Sequence, residues 1–253
     1  MKLQILQHLD REGPGLITAC AADRGWSVQI HRPDLGETLP AFEPATDTIL
    51  VVLGGPMGVA DIGDADYPWL VSEVHLIAQR LAARQPVLGL CLGAQLLAHA
   101  AGGGAEPLTT GNPAQPLREV GWGAVHWLAE PDQEPVLAGL GASELVLHWH
   151  GDRIDLPAGA TLLGSTLHCP EQFFRLGDHA WGLQFHIEVA SGDLDRWLEE
   201  DAAYVLEALG PGGPERIREG QRRWGTAVAR SGRRLIHNIF DRIEAHQRQL
   251  RGS

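Results

Sequence analysis

The sequence predicts an α/β fold: an open, mostly parallel β-sheet flanked by helices, followed by a helical C-terminal extension. Three observations carry that prediction. Short apolar runs alternate with helix-period segments up to about residue 100, the middle of the chain breaks into short strands split by Gly and Pro, and helical patterning takes over after residue 190. Alternation of the first kind is the β-α-β rhythm of a sheet covered on both faces.

In chain order, LQILQHL, SVQIH, DTILVVLG and PVLGL read as strands. Before the last of them, Leu70, Val71, Val74, Ile77 and Leu81 fall on one face of a helix over about 67–84. From 104 to 190 the runs REVGWGAVHWL, SELVLHWHGDRIDLP, TLLGST, EQFFRLG and WGLQFHIEV predict added antiparallel pairing and a return to the main sheet. DLDRWLEEDAAYVLEAL then predicts a helix, GPGGP at 210–214 a break, and the remainder a long helix with Gly225 and Gly232 as points where it can bend. In that helix Ile217, Trp224, Val228, Leu235 and Ile239 form an apolar stripe. The expected organisation is therefore a main unit over 1–190 and a helical unit over 191–253. The stripe packs the second unit on the first or on another subunit, which makes a homodimer a reasonable expectation.

Composition narrows the function. The chain has 253 residues, 44% of them hydrophobic, enough to bury a core. Net charge is −12 and unevenly spread: residues 1–190 hold 22 acidic and 9 basic side chains, whereas 214–251 hold 4 acidic side chains and 10 arginines. An acidic body disfavours nucleic acid as a ligand. The arginines read first as a solvated helix face, and otherwise as a surface for the acidic body or a partner. No run of about 18 apolar residues is present to span a membrane. Met1 leads directly into strand-like KLQILQHL, so a cytoplasmic location is expected. The three cysteines, Cys20, Cys91 and Cys169, are an odd number, which points to reduced thiols rather than a disulfide framework.

Gly89-Leu90-Cys91-Leu92-Gly93 has the form G-x-C-x-G where an apolar run meets a helical one. Small flanking residues allow a strained turn there that holds a nucleophile clear of the sheet, above helix N–H groups that suit an anion. A packed core cysteine would satisfy the same pattern. A nucleophile that forms an acyl-enzyme also needs a base, an orienting acid and an oxyanion site. His186 and Glu188 stand two apart in a strand-like run, so their side chains leave one face together. A pair of that kind can equally be a solvent-facing or structural one. Gly54 and Gly55, directly after the run ending at Leu53, let a main-chain N–H approach a ligand, although Gly-Gly-Pro is also a common turn. His148, His150 and Asp152 spell H-x-H-x-D, a metal-like spacing, but Arg153 follows where a further histidine would help, and no metal is expected.

GGPMG at 54–58, GLCLGAQLLA at 89–98 and GLQFHIEV at 182–189 together resemble the class I (triad-type) glutamine amidotransferase family over about residues 45–190. The cysteine follows the glycine loop by about 35 residues and the His-x-Glu follows the cysteine by about 95, in the family's order. The resemblance implies a flavodoxin-like sheet, a Cys91-His186-Glu188 triad, and the main-chain N–H groups of Gly55 and Leu92 as oxyanion donors. It further implies that Gln95 helps hold glutamine and that the main chain at Gly151 and Asp152 receives its α-carboxylate, with no cofactor. Leu92 argues against the protease and chaperone branch of the superfamily, which usually has histidine after the cysteine. Ile187 replaces a common proline, and Trp149 a small polar residue, which bears on the outer substrate contacts. EVGW at 119–122 and the helical tail look most similar to free-standing members related to the amidotransferase part of GMP synthase.

The implied activity is hydrolysis of the glutamine side-chain amide, with ammonia passed to a separate synthase partner, since the tail is too short and too helical for an ATP-using domain. A stand-alone γ-glutamyl amide or peptide hydrolase would use the same triad. A catalytically idle binding or regulatory subunit is the third reading.

Overall fold

The computed structural model describes residues 1–44, 47–190 and 192–252. Ala45, where the resemblance begins, and Ser191, where the helical unit is set to begin, lie outside the described residues. The chain opens as β1 (Lys2–Leu6), α1 (Gly15–Asp23), β2 (Ser27–His31), β3 (Thr48–Val52), α2 (Trp69–Ala82), β4 (Val87–Leu90) and α3 (Leu92–Ala100). Nine short strands follow: β5 (Gly104–Pro107), β6 (Thr109–Thr110), β7 (Gln115–Pro116), β8 (Glu119–Trp127), β9 (Ser143–His150), β10 (Asp152–Asp155), β11 (Ala160–Ser165), β12 (Phe173–Leu176) and β13 (Ala180–Leu183). It ends in α4 (Leu194–Glu200), α5 (Ala202–Leu209) and α6 (Gly213–Gly252).

The main sheet has nine strands in the order β2-β1-β3-β4-β13-β12-β11-β8-β9. From β2 to β13 the neighbours are parallel, and from β13 to β9 antiparallel. Strand periodicity divides the core between the two faces. Leu3, Ile5, Val51 and Leu88 pack with α1 and α6, whereas Leu6, Leu50, Val52 and Val87 pack with α2 and α3. The carboxyl ends of β3 and β4 thus meet the start of α3 at one edge, the position at which open α/β sheets hold their sites.

Three local expectations change. Val71 is exposed on α2, and the buried face instead carries Leu70, Glu73, Leu76, Ile77 and Arg80. The helix expected over DLDRWLEEDAAYVLEAL divides at Asp201, whose backbone is not helical and whose carboxylate turns inward to Arg11 and Trp149. The strand expected over WGLQFHIEV stops at Leu183, so His186 and Glu188 lie in a turning segment in which His186 bridges Leu147 of β9.

Helix α6 runs unbroken through both glycines. Gly232 is a close-approach point: a Cβ there would stand 3.0 Å from the Ile187 carbonyl oxygen. Of the apolar stripe, Ile217, Val228, Leu235 and Ile239 are buried while Trp224 is only partly so; beside them Ile236, Phe240 and Ile243 are fully buried, each contributing about 1.5–3 kcal/mol by burial. Two helix arginines meet the acidic body, Arg233 at Asp23 and Arg242 at Asp178, whereas Arg218 pairs with Asp195 of α4.

Candidate active site

Cys91 sits at the turn between β4 and α3 with φ 50° and ψ −109°, a conformation that costs a non-glycine residue energy and is characteristic of a nucleophile elbow. The flanking glycines make that turn possible. A Cβ on Gly89 would stand 2.3 Å from the Gly93 carbonyl oxygen, and one on Gly93 only 2.0 Å from the Val52 carbonyl oxygen of β3. The Cys91 N–H donates to the Leu183 carbonyl at 2.7 Å, tying the turn to β13. Its Sγ lies 3.9 Å from the Trp149 carbonyl oxygen and 3.6 Å from Gln184 Nε2, which donates to it.

His186 is buried, with Nδ1 2.6 Å from Glu188 Oε1. The second Glu188 oxygen accepts from the Ile187 N–H at 2.9 Å, so both carboxylate oxygens are fixed. Since Nδ1 faces a carboxylate it carries the proton, and Nε2 is the nitrogen left for Cys91. Burial pulls the imidazole down, but the Glu188 charge and the Cys91 thiol outweigh it and hold His186 well above its ordinary value. The edge of Trp197 closes the other side of the ring at 4.9 Å between centroids.

A cavity of about 410 Å³ opens over Cys91. Its lining includes Gly55, Leu92, Gln95, Gly151 and Asp152, so the predicted oxyanion and substrate residues all border one space with the thiol. No side chain caps α3, and among the described residues neither the Gly55 nor the Leu92 N–H donates to a protein acceptor. Gln95 donates to Gln184 at 3.3 Å, while its Oε1 is buried without a partner. Burial raises the Asp152 carboxyl from its ordinary value, which His150 partly opposes.

The cavity also has walls that the motifs did not reveal: Arg11, Glu12, Arg118, Asp201 and Tyr204. Glu12 follows β1 in the loop RE-GPG, and its Oε2 would stand 2.3 Å from a Cβ on Gly54, beside His186 Cε1 at 3.2 Å. Burial lifts its carboxyl, which His186 and Arg11 partly oppose. Trp149, the unusual residue before His-Gly, donates from Nε1 to Asp201 at 2.9 Å and packs edge-on against Trp197. It therefore ties the helical segment to the rim. An indole before His-Gly and an acid between two helical runs were the available signals.

The H-x-H-x-D spacing does not assemble as written. His148 and His150 converge with Glu119 rather than with Asp152, their candidate ligand atoms lying within 4.8 Å of one another. The Glu119 oxygens already accept from Thr166 and Gln172, each at 2.6 Å. Those three residues are the ones that could hold a metal here, but the carboxylate is committed to protein donors. A second group, Cys20, Asp23 and His237, is likewise tied up, with Asp23 paired to Arg233.

Burial pushes the Cys20 thiol up to about 11 and that of Cys169 up to about 12. Both are then almost entirely protonated at neutral pH, and a thiol is a poor nucleophile. Iodoacetamide at pH 7.5 is expected to label Cys91 before either. Peptide mapping checks this: rapid label on Cys20 or Cys169 in the folded protein would contradict the assignment.

The fold and the site define the class: an α/β protein with a thiol at a strained strand-to-helix turn, an imidazole fixed by a carboxylate and, among the described residues, two N–H groups without a protein acceptor bordering one cavity. The chain belongs to the class-I glutamine amidotransferase family, whose description matches residues 15–204. It is 30% identical over 212 residues to the glutamine amidotransferase-like protein YfeJ of Salmonella typhimurium, covering 83% of this chain and 85% of that one. It is 39% identical over 142 residues to the glutamine-hydrolysing GMP synthase of Thermomicrobium roseum, covering 56% of this chain but 23% of the synthase. The crystal structure of a glutamine amidotransferase from Thermotoga maritima superposes with a TM-score of 0.81 at 28% identity, over 94% of this chain and 97% of that one. One from Methylobacillus flagellatus gives 0.78 at 26% identity, over 96% and 94%. Among the described residues no helix is long and apolar enough to cross a membrane.

Proposed function

We propose that this protein hydrolyses the side-chain amide of glutamine through a thioester on Cys91, releasing glutamate and ammonia, the ammonia being passed to a separate synthase. The observation that carries this reading is the arrangement around one cavity: a thiol at an elbow, a histidine with Nδ1 committed to Glu188, and free N–H groups on Gly55 and Leu92.

The chemistry follows from those atoms. His186 Nε2 takes the thiol proton as Cys91 Sγ attacks the amide carbon, and the carbonyl oxygen takes up negative charge toward the Gly55 and Leu92 N–H groups. As the C–N bond breaks, His186 gives its Nε2 proton to the departing nitrogen, which leaves as ammonia. Water then loses a proton to His186 and attacks the thioester carbon. The C–S bond breaks, His186 returns that proton to the departing sulfur, glutamate leaves and the thiol is restored. The orphaned Oε1 of Gln95 is an acceptor suited to the substrate's amide N–H.

One observation favours the second reading, a stand-alone γ-glutamyl amide hydrolase. The cavity falls in the size range of pockets for drug-sized ligands and is walled by this chain's own Asp201 and Tyr204, leaving room beyond a bare amide. Ammonia and glutamate release from glutamine and from a panel of γ-glutamyl amines and dipeptides separates the two. Turnover confined to glutamine, or enhanced by an added synthase, supports the first reading. Faster turnover of larger amides supports the second, and no turnover of any amide, alone or with an added synthase, would leave an idle subunit.

A further inference from the structure

His8 lies just beyond β1, beneath the Gly54-Gly55 loop, and neither the fold nor the proposed chemistry so far accounts for it. Its side chain is wholly buried. Nδ1 is 3.0 Å from the Gly54 carbonyl oxygen, and Nε2 is 3.0 Å from both carboxylate oxygens of Glu73 on α2. A carbonyl only accepts, so Nδ1 must carry a proton, and the carboxylate facing Nε2 favours a second one there. Burial opposes that charge, but Glu73, the Gly54 carbonyl and Glu12 together lift His8 above its ordinary value. The imidazole is thus a rigid double donor between α2 and one main-chain carbonyl.

That carbonyl shares its peptide with the Gly55 N–H. In a trans peptide the C=O and N–H point to opposite sides of one plane, so fixing one direction fixes the other. A peptide between two glycines has no side chain of its own to hold it. It is packed from outside: a Cβ on Gly55 would stand 3.1 Å from His8 Cβ and 3.2 Å from Leu92 Cδ2. We propose that His8, clamped by Glu73, is a positioning residue that holds the 54–55 peptide with the Gly55 N–H turned away from His8 and available to the oxyanion. Rotated the other way, the peptide would present the Gly54 carbonyl oxygen to a developing negative charge. The proposal rests on the reading of Gly55 as an oxyanion donor.

The two ring nitrogens can be tested separately, because an Asn amide overlays the Nδ1 position of histidine and a Gln amide the Nε2 position. His8→Asn keeps a donor for Gly54 and loses Glu73. His8→Gln keeps a group for Glu73 and loses the bond to Gly54. With the best amide substrate, His8→Gln is expected to lose about 10²- to 10³-fold in kcat with KM little changed, the scale of one oxyanion donor. His8→Asn is expected to stay within about tenfold of wild type. Iodoacetamide alkylation of Cys91 forms no oxyanion, so its rate should be the same in all three proteins, which also reports that each is folded. Equal kcat for His8→Gln and wild type, a reversed order of the two variants, or alkylation that falls in step with kcat would overturn the positioning role. Absence of Cys91-dependent turnover in the wild type would instead overturn the proposed function, and this inference with it.

Discussion

Cys91→Ala is expected to lower glutamine hydrolysis by about 10⁴-fold or more, with His186→Ala falling as far and the double variant no further. The parts act as a unit: without sulfur there is no thioester, and without the imidazole the thiol has no base and the departing nitrogen no acid. Glu188→Gln tests the geometry more finely. In the native protein one Glu188 oxygen accepts from His186 Nδ1 and the other from the Ile187 N–H. A glutamine amide has only one oxygen. If that oxygen serves Ile187, the NH₂ turns toward Nδ1, which must then accept, and the histidine's proton moves to Nε2. That tautomer cannot take a proton from Cys91. The expected result is a loss of about 10²- to 10⁴-fold in kcat with the fold intact, smaller than for Cys91→Ala. Single-turnover ammonia release measures it, and a near-wild-type Glu188→Gln enzyme would remove Glu188 from the mechanism.

The segments around these residues were legible for different reasons. The elbow is written locally, since Gly89, Cys91 and Gly93 fall within five positions and Gly89 packs on Gly93 itself, with β3 and β13 as the strands beside the turn. His186 and Glu188 were found by their spacing, although the strand that suggested it ends at Leu183. The alternation of Leu183, Phe185 and Ile187 with polar residues mimics a strand, while the chain there is turning so that His186 can bond Leu147. Glu73 and Arg80 could not be read this way. On α2 they break the apolar stripe, and their burial depends on His8, Gln4 and Thr48, partners 32 to 76 residues away. The rim is likewise assembled from distant parts of the chain, Asp201 and Tyr204 at the end of the family match and Arg11 and Glu12 just before its start at residue 15. In each of these cases a tertiary contact supplied what the local pattern omitted.

Gly93 offers the largest expected effect on stability, and one in which two physical arguments predict opposite signs. Gly93 lies inside α3, where helix propensity alone says that alanine should stabilise by up to about 1 kcal/mol. Packing says otherwise. The new Cβ would stand 2.0 Å from the Val52 carbonyl oxygen and 2.6 Å from its carbonyl carbon, main-chain atoms of a central strand fully buried in the sheet. Those atoms cannot swing aside as a flexible side chain can, so α3 must lift from β3, carrying Cys91 and the Leu92 N–H with it. Overpacking of this kind exceeds the propensity gain, and Gly93→Ala is expected to lose about 3 kcal/mol or more. Gly104→Ala is the control, because nothing stands within 4 Å of a Cβ there. It should fall within about 0.5 kcal/mol of wild type. Urea unfolding of the three proteins compares the midpoints. A Gly93→Ala protein as stable as wild type would mean that the strand can yield, and that the glycine serves the turn at Cys91 rather than the approach of helix to sheet.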